Sequence, residues 1–482
     1  MPINSFLYPG PTNSNPYVVD NSCRFNDADT ASLTLDLSGG AGNRKTWTCS
    51  FWFKLGNMDA SGVSNQRFLS ANTSHSDADY GQIGLGNGDQ LEFGTGTQLW
   101  RRTNRLFRDP SAWYSVVIAM DTTQGTASNR VKIWVNGTQE TSFAVSNDPT
   151  EDADYGIMGA VSHAIGKTEV GSQTDDETFD GYLAEFAFLD GTATTASSFG
   201  EFDEDSPTIW KPKNLNNISG AKGTNGFYLD FKDSSNLGND AWGGTDLTES
   251  NLAAADQATD TPTNNFCTWN PLDKYYSSAT FAEGNTTVVT PNGSITYATG
   301  TIGLSSGRWY FEVQPYDPSD DNNIGIVDHV STSNSSSAGE LQYQPRGWCY
   351  RQAGDAYNNN SSLTGSWDSY VAGVKIGVFL DLEDNKIYWS RNGVMQNSGT
   401  GISITAAAST DTGFYFPAVG DYNGSDDTTF LTNFGGSSSF AISSAVTDDN
   451  GYGNFEYTPS VTVDSTAKKF YAICTKNLAE YG

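Results

Sequence analysis

The ten residues Thr46–Leu55, TWTCSFWFKL, place Trp47, Cys49, Phe51, Phe53 and Leu55 on alternate positions. A two-residue period belongs to an extended strand that buries one face, so this segment demands a second sheet to pack against. The alternation recurs in GRWYFEV, with Trp309, Phe311 and Val313, and in GVFLDL, with Val378, Leu380 and Leu382. WYSVVIAMD at Trp113–Asp121 and VKIWV just after Arg130 are further β-favouring runs, and Asn136-Gly137 and Asn392-Gly393 are the dipeptides that turn hairpins most readily. The expected fold class is all-β, as two antiparallel β-sandwich (jelly-roll) domains joined by a small connecting region.

Charge narrows the partners. Lys+Arg 26 against Asp+Glu 56 gives 26 − 56 = −30 over 482 residues, a field that repels phosphate backbones and anionic bilayers. No nucleic acid and no membrane insertion are therefore expected. No run approaches the ~20 apolar residues of a membrane span. Residues 1–17 have neither the basic start nor the apolar core of a secretory signal, so synthesis in a cytoplasm is expected. Cys23, Cys49, Cys267, Cys349 and Cys474 are scattered without a CxxC pair, and His75, His163 and His329 are the only histidines. Zinc and thiol chemistry have little to stand on, and a chain of this size needs no disulfide to hold its core.

Punctuation divides the chain into five parts. Residues 1–17 carry Pro2, Pro9, Pro11 and Pro16 and form an extended arm, either frayed or docked on a neighbouring subunit of a homo-oligomer. Residues 18–200 hold the first sandwich and 201–270 a connecting subdomain around GFYLDF. Residues 271–440 hold the second sandwich and 441–482 a tail with FYAICTKNL, which has no assigned place.

The order TWTCSFWFKL, RFLSA, GQIGLGNGDQLEF, WYSVVIAMD, VKIWVNG, HAIGK and FDGYLAEFAFLDG resembles the concanavalin A-like lectin/laminin G superfamily. The resemblance implies a jelly roll whose last strand pairs beside its first, with ligand sites on rim loops or the concave face. GVFLDLEDNKIYWSRNGV followed by TNFGG resembles SPRY domains. The whole succession, with GFYLDF, DTPTNNF and the KNL end, resembles structural proteins of marine bacteriophages. That implies a virion protein, assembled in the host cytoplasm as a fibre, spike or surface decoration, with other virion proteins and host surface polysaccharide as partners. A polysaccharide depolymerase and a cell-surface adhesin are the alternatives.

Three groups of residues could carry chemistry. Laminarinases, which share the jelly roll, set two glutamates about an aspartate because glycoside hydrolysis needs an acid and a nucleophile. Glu201-Phe202-Asp203-Glu204-Asp205 approaches that pattern but ends on a shorter Asp and runs into Ser206-Pro207. An acidic loop is the better reading, and no enzyme activity is expected. Asp152 and Asp154, and Asp175, Asp176 and Glu177, could supply oxygen ligands for Ca²⁺, although clusters also arise by chance in so acidic a chain and no cofactor is required. Arg101, Arg102, Arg105 and Arg108 in RRTNRLFR, beside Trp100, either grip an anionic partner or pair with the protein's own acids. In the second sandwich Trp348, Tyr357 and Trp367 stand near Asn358–Asn360, and rings beside amides suit sugar binding, while most such aromatics belong to a core.

Overall fold

The computed structural model describes residues 17–56, 65–71, 80–86, 88–168, 177–273, 279–290, 296–316, 322–330, 339–421 and 427–482. It is nearly all β, with antiparallel sheets packed face to face and a short α-helix, Thr475–Tyr481.

The first sandwich is built from β1 (Ser22–Phe25), β2 (Ser32–Asp36), β3 (Thr46–Leu55), β4 (Gln66–Ala71), β5 (Gly81–Gly86), β6 (Gln90–Gly94) and β7 (Leu99–Leu106). It continues through β8 (Trp113–Asp121), β9 (Val131–Val135), β10 (Thr138–Gln139), β11 (Phe143–Ser146), β12 (Ser162–Ile165) and β13 (Gly181–Asp190). One sheet runs β10-β9-β8-β3-β13-β1, and the other β11-β7-β6-β5-β4-β12-β2. The alternating residues of β3 point inward: Phe51 stacks on Phe186 at 5.2 Å and Trp47 meets Phe93 edge-on at 5.5 Å. The last strand, β13, lies beside β3 over its length, with Gly181 opposite Leu55 and Asp190 opposite Trp47. Asn136-Gly137 turns with φ of 47° and 75°, the left-handed pair a two-residue hairpin needs.

Much of residues 201–270, expected as a separate connector, adds instead to this sandwich, while Phe266, Cys267 and Trp269 pack into the second. Phe227–Leu229 pairs with β13, Thr248–Ser250 extends the second sheet beside β2, and Gln257–Ala258 extends the first beside β1. Leu215, Tyr228, Trp210 and Trp242 pack on the outward face of the first sheet, against Val117, Trp134 and Leu189. That face is therefore buried, and β3 is covered on both sides.

The second sandwich has β14 (Thr280–Ala282), β15 (Thr287–Thr290), β16 (Thr296–Thr299), β17 (Arg308–Pro315), β18 (Asn322–Val327), β19 (Trp348–Arg351) and β20 (Asp355–Asn358). β21 (Ile376–Asp381), β22 (Lys386–Arg391), β23 (Phe416–Asp421) and β24 (Thr428–Asn433) complete it. The sheets run β14-β15-β24-β17-β21-β22 and β16-β23-β18-β19-β20. The tail is ordered onto this domain: Tyr471–Ala472 adds in parallel to β17, and Phe455, Val463 and Phe470 bury Tyr310 and Phe379. All five cysteines are buried and free.

Two buried cations join the sandwiches. Lys54 Nζ donates to Asp260 Oδ2 at 2.6 Å, Asn265 Oδ1 at 2.7 Å and Phe266 O at 2.8 Å. Arg24 reaches Asp256 at 3.0 Å, Glu283 at 2.8 Å and the carbonyl of Ser438 at 3.0 Å.

Candidate functional site

With the first sheet's outer face covered, the outer face of the second sheet is where the first sandwich gathers its remaining polar side chains. Along β5 the inward Ile83 and Leu85 alternate with the outward Gln82, Gly84 and Gly86; along β6 Leu91 and Phe93 alternate with the outward Glu92. Register sets Arg102 opposite Glu92, Glu92 opposite Gly84 and Gly84 opposite Arg67, so four strands carry one row. Beside it Gln82 lies between Gly94 and Ser70.

The row is held by charge. Arg102 Nε donates to Glu92 Oε1 at 2.6 Å, and Arg67 Nε lies 2.9 Å from Glu177 Oε2. Tyr80 donates to Gln82 Oε1 at 2.6 Å, and burial pushes the Tyr80 phenol up against the pull of Arg67. The glycines make room: a Cβ on Gly86 would lie 2.0 Å from Glu92 Oε1, and one on Gly84 would lie 2.2 Å from the Gln66 carbonyl. Arg67, Gln82 and Glu92 are buried, whereas Arg102 at the end of the row is 37% exposed. The row thus gathers cationic, anionic, amide and phenolic groups along one face, buried for the most part and exposed at Arg102.

Most of the residues expected from sequence stand elsewhere. Trp100 is a core ring, edge-on to Phe93 and Tyr155 at 5.0 and 4.4 Å, so it offers no face to a partner. Each of the four arginines meets an acid of the same chain: Arg101 meets Asp148 at 2.7 Å, Arg102 meets Glu92, Arg105 meets Glu140 at 2.9 Å and Arg108 meets Asp89 at 2.6 Å. Arg101 is buried and also bonds the carbonyls of Trp100 and Asn147, a structural role. Arg105 and Arg108 form surface pairs, which contribute ~0–1 kcal/mol each.

Among the described residues the acidic groups expected to hold Ca²⁺ do not gather at one point. Asp175 and Asp176 lie outside the described residues. Glu177 accepts from Asn65 at 2.6 Å and Thr168 at 2.8 Å besides its Arg67 pair, Asp152 lies 3.6 Å from Lys45, and Asp154 is exposed. Among the described residues no group of three or more His, Cys, Asp or Glu could hold an ion. In Glu201–Asp205, Glu201 and Asp203 share Lys211 at 3.9 and 3.4 Å on an exposed hairpin, and the Ser206 backbone N–H helps hold Asp203 below the usual carboxylate range.

In the second sandwich Trp348 is a core residue, edge-on to Tyr415 at 5.6 Å. Trp367 packs edge-on to Trp389 at 5.6 Å. Tyr357 is half-buried on the opposite face with Arg351 4.7 Å from its ring centre, so the three rings form no common platform.

Comparison with known families agrees with this architecture. Residues 27–197 match the Laminin_G_3 family, described as the concanavalin A-like lectin/glucanases superfamily, and residues 308–433 match the SPRY domain. A concanavalin A-like domain and a SPRY domain are found in this chain. Among solved structures, the SPRY domain of human HERC1 is 15% identical, with 34% of this chain and 96% of that chain covered at a TM-score of 0.26. A protein of Bacteroides ovatus ATCC 8483, described as a candidate carbohydrate binding protein, is 17% identical, with coverage of 48% and 59% and a TM-score of 0.33. The heptameric SAP-like pentraxin of Limulus polyphemus is 14% identical, with coverage of 37% and 78% and a TM-score of 0.27. The search of curated proteins found no match.

The polar row lies inside the concanavalin A-like domain, and sequence reading missed Arg67, Tyr80, Gln82 and Glu92. The alternation in GQIGLG and QLEF could have placed Gln82 and Glu92 outward. Their alignment with Arg67 and Arg102 depends on β-bulges at residues 67–69 and 90–92, which shift the register.

Proposed function

We propose that this protein is a non-enzymatic carbohydrate-binding protein whose concanavalin A-like domain takes a polysaccharide at the polar row of its second sheet. The observation that carries this reading is the row itself. Arg102, Glu92 and Arg67 stand in cross-strand register beside Gln82 and Tyr80, over glycines whose missing side chains leave space for Arg67 and Glu92. A sugar chain presents hydroxyls as both donors and acceptors, which such a mixed row can match. Absence of catalysis is supported by Glu201 and Asp203, whose shared lysine suits a stabilised ion pair rather than a proton-donating acid.

The test is calorimetric titration of the full chain with laminarin and alginate oligosaccharides. Binding is expected to weaken about tenfold in Arg102→Ala and in Gln82→Ala, the equivalent of about 1.4 kcal/mol. It should persist in EDTA and release no reducing sugar. Unchanged affinity in both variants would remove the row from the function, binding abolished by EDTA would assign Ca²⁺ a role, and hydrolysis lost on Asp203→Asn would establish a depolymerase.

The finer role proposed is host attachment from a virus particle, and it rests on the resemblance of the module order to that of phage structural proteins. Antibody labelling of particles in negative stain tests it, and unlabelled particles would leave the adhesin reading.

A further inference from the structure

A recess of about 410 Å³ opens where the two sandwiches, the chain entry and the tail meet. Its walls come from residues 18–20, 259–266, 447–454 and 476, none of which lies within residues 27–197 or 308–433. It therefore belongs to neither matched domain.

The tail builds one wall rigidly. Tyr452 sits between Gly451 and Gly453, whose φ of 81° and 84° favour glycine. Asp448 N–H donates to Tyr452 O at 2.8 Å, and Asp448 Oδ1 accepts from the Tyr452 N–H at 2.9 Å. Asp448 is itself fixed by Asn477 Nδ2 at 2.7 Å and the Ala472 N–H at 3.0 Å. The loop thus holds a half-buried aromatic ring in place before any ligand arrives, which lowers the ordering cost of binding.

Lys476 makes the second point. Its Nζ lies 5.3 Å from the centre of the Tyr452 ring, and among the described residues it meets no carboxylate within ion-pair distance. Its charge is thus set against the face of an aromatic ring. The nearby acids are engaged: Asp20 pairs with Lys232 at 3.3 Å and Glu480 accepts from Asn450 at 3.4 Å. Thr259, Thr447 and Asn454 stand exposed at the mouth, and the nearly buried Asn264 anchors the Lys476 backbone N–H at 3.2 Å.

We propose that this recess is a second saccharide-binding site. A pyranose C–H face lies against Tyr452 while its hydroxyls bond Asn454, Thr259 and the Lys476 ammonium. A volume of this order holds one or two sugar rings, and the mixture of one ring, one cation and several neutral polar groups is suited to hydroxyls. The site shares no residue with the sheet row, and its lining falls outside both matched segments.

Saturation-transfer NMR and calorimetry on the full chain, with tetrasaccharides of glucose, of mannose and of a uronic acid as probes, test the proposal. The expected result is transfer to at least one probe, with affinity falling about tenfold or more in Tyr452→Ala and in Lys476→Met but held in Tyr452→Phe. A preference for the uronic acid that disappears in Lys476→Met would identify the ligand as acidic, and equal affinities as neutral. Melting curves check that each variant folds, and Lys476→Met decides the matter should Tyr452→Ala unfold. Failure of all probes to bind at millimolar concentration, or wild-type affinity in both Tyr452→Ala and Lys476→Met, overturns the site. Loss confined to Gln82→Ala would leave the sheet row standing and remove this one.

Discussion

Lys54→Met is expected to destabilise the whole chain by about 3–5 kcal/mol, the usual cost of removing one partner from a buried ion pair. The side chains of Lys54 and Asp260 are 0% and 1% exposed, so water cannot take over for either. Methionine would fill much of the lysine's space while leaving the Asp260 carboxylate with only the Trp113 indole N–H at 3.0 Å and the Phe266 N–H at 3.3 Å. Phe266 O and Asn265 Oδ1 would lose their donor as well. Because Lys54 belongs to β3 of the first domain and Asp260–Phe266 leads into the second, the damage falls on the joint between them. Denaturant melts followed by tryptophan fluorescence should show a lowered midpoint, together with faster proteolysis between residues 259 and 266. Adding Asp260→Asn should recover part of the loss, since it removes the unpaired charge. A midpoint within the spread of ordinary surface variants, about 0.5 kcal/mol, would mean that this pair does not hold the domains together.

Lys54 also marks how far a sequence can be read. The period of TWTCSFWFKL gave the inward face of β3 correctly, because alternation is local and a core requires it. The same period puts Thr48, Ser50, Trp52 and Lys54 on the strand's other face without saying what covers it. They are buried, because residues 192–242 and the second domain lie over them, and partners about two hundred residues away leave no local trace. The hairpin dipeptides were legible for the reason that the strands were: Asn392-Gly393 turns with φ of 48° and 78°, as Asn136-Gly137 does. The connector was misjudged because its strands are three residues or shorter and become strands only by adding to a sheet already formed. RRTNRLFR was legible as a charge reversal, but whether its arginines face outward or inward depended on Glu92, Glu140, Asp148 and Asp89, which no spacing rule connects to them.

Glu185→Gln is expected to stabilise the protein in a way that grows with pH. Glu185 sits at the bulge where β13 shifts register between Ala184 and Ala187, with φ of 51°, and the strand turns its carboxyl onto the covered outer face. There it accepts from Tyr228 at 2.8 Å and from Tyr17 at 3.2 Å. Burial raises its pKa from 4.5 to about 8, the two phenols lower it in part, and of the nearby charges Asp230 adds to the rise while Lys232 opposes it. An acid whose pKa is higher folded than unfolded binds its proton more tightly in the native state. The contribution of Glu185 to stability is therefore fully present below about pH 4.5 and declines as pH rises toward 8, by about 1.4 kcal/mol per pH unit. Glutamine keeps the size and an acceptor for the phenols and never ionises, so it should lack this slope. The variant should match wild type near pH 4.5 and exceed it by roughly 3–5 kcal/mol at pH 8. Urea melts at both values measure the difference, and parallel stability profiles for the two proteins would show that Glu185 is ionised in the folded chain, with Lys232 rather than a proton supplying its counter-charge.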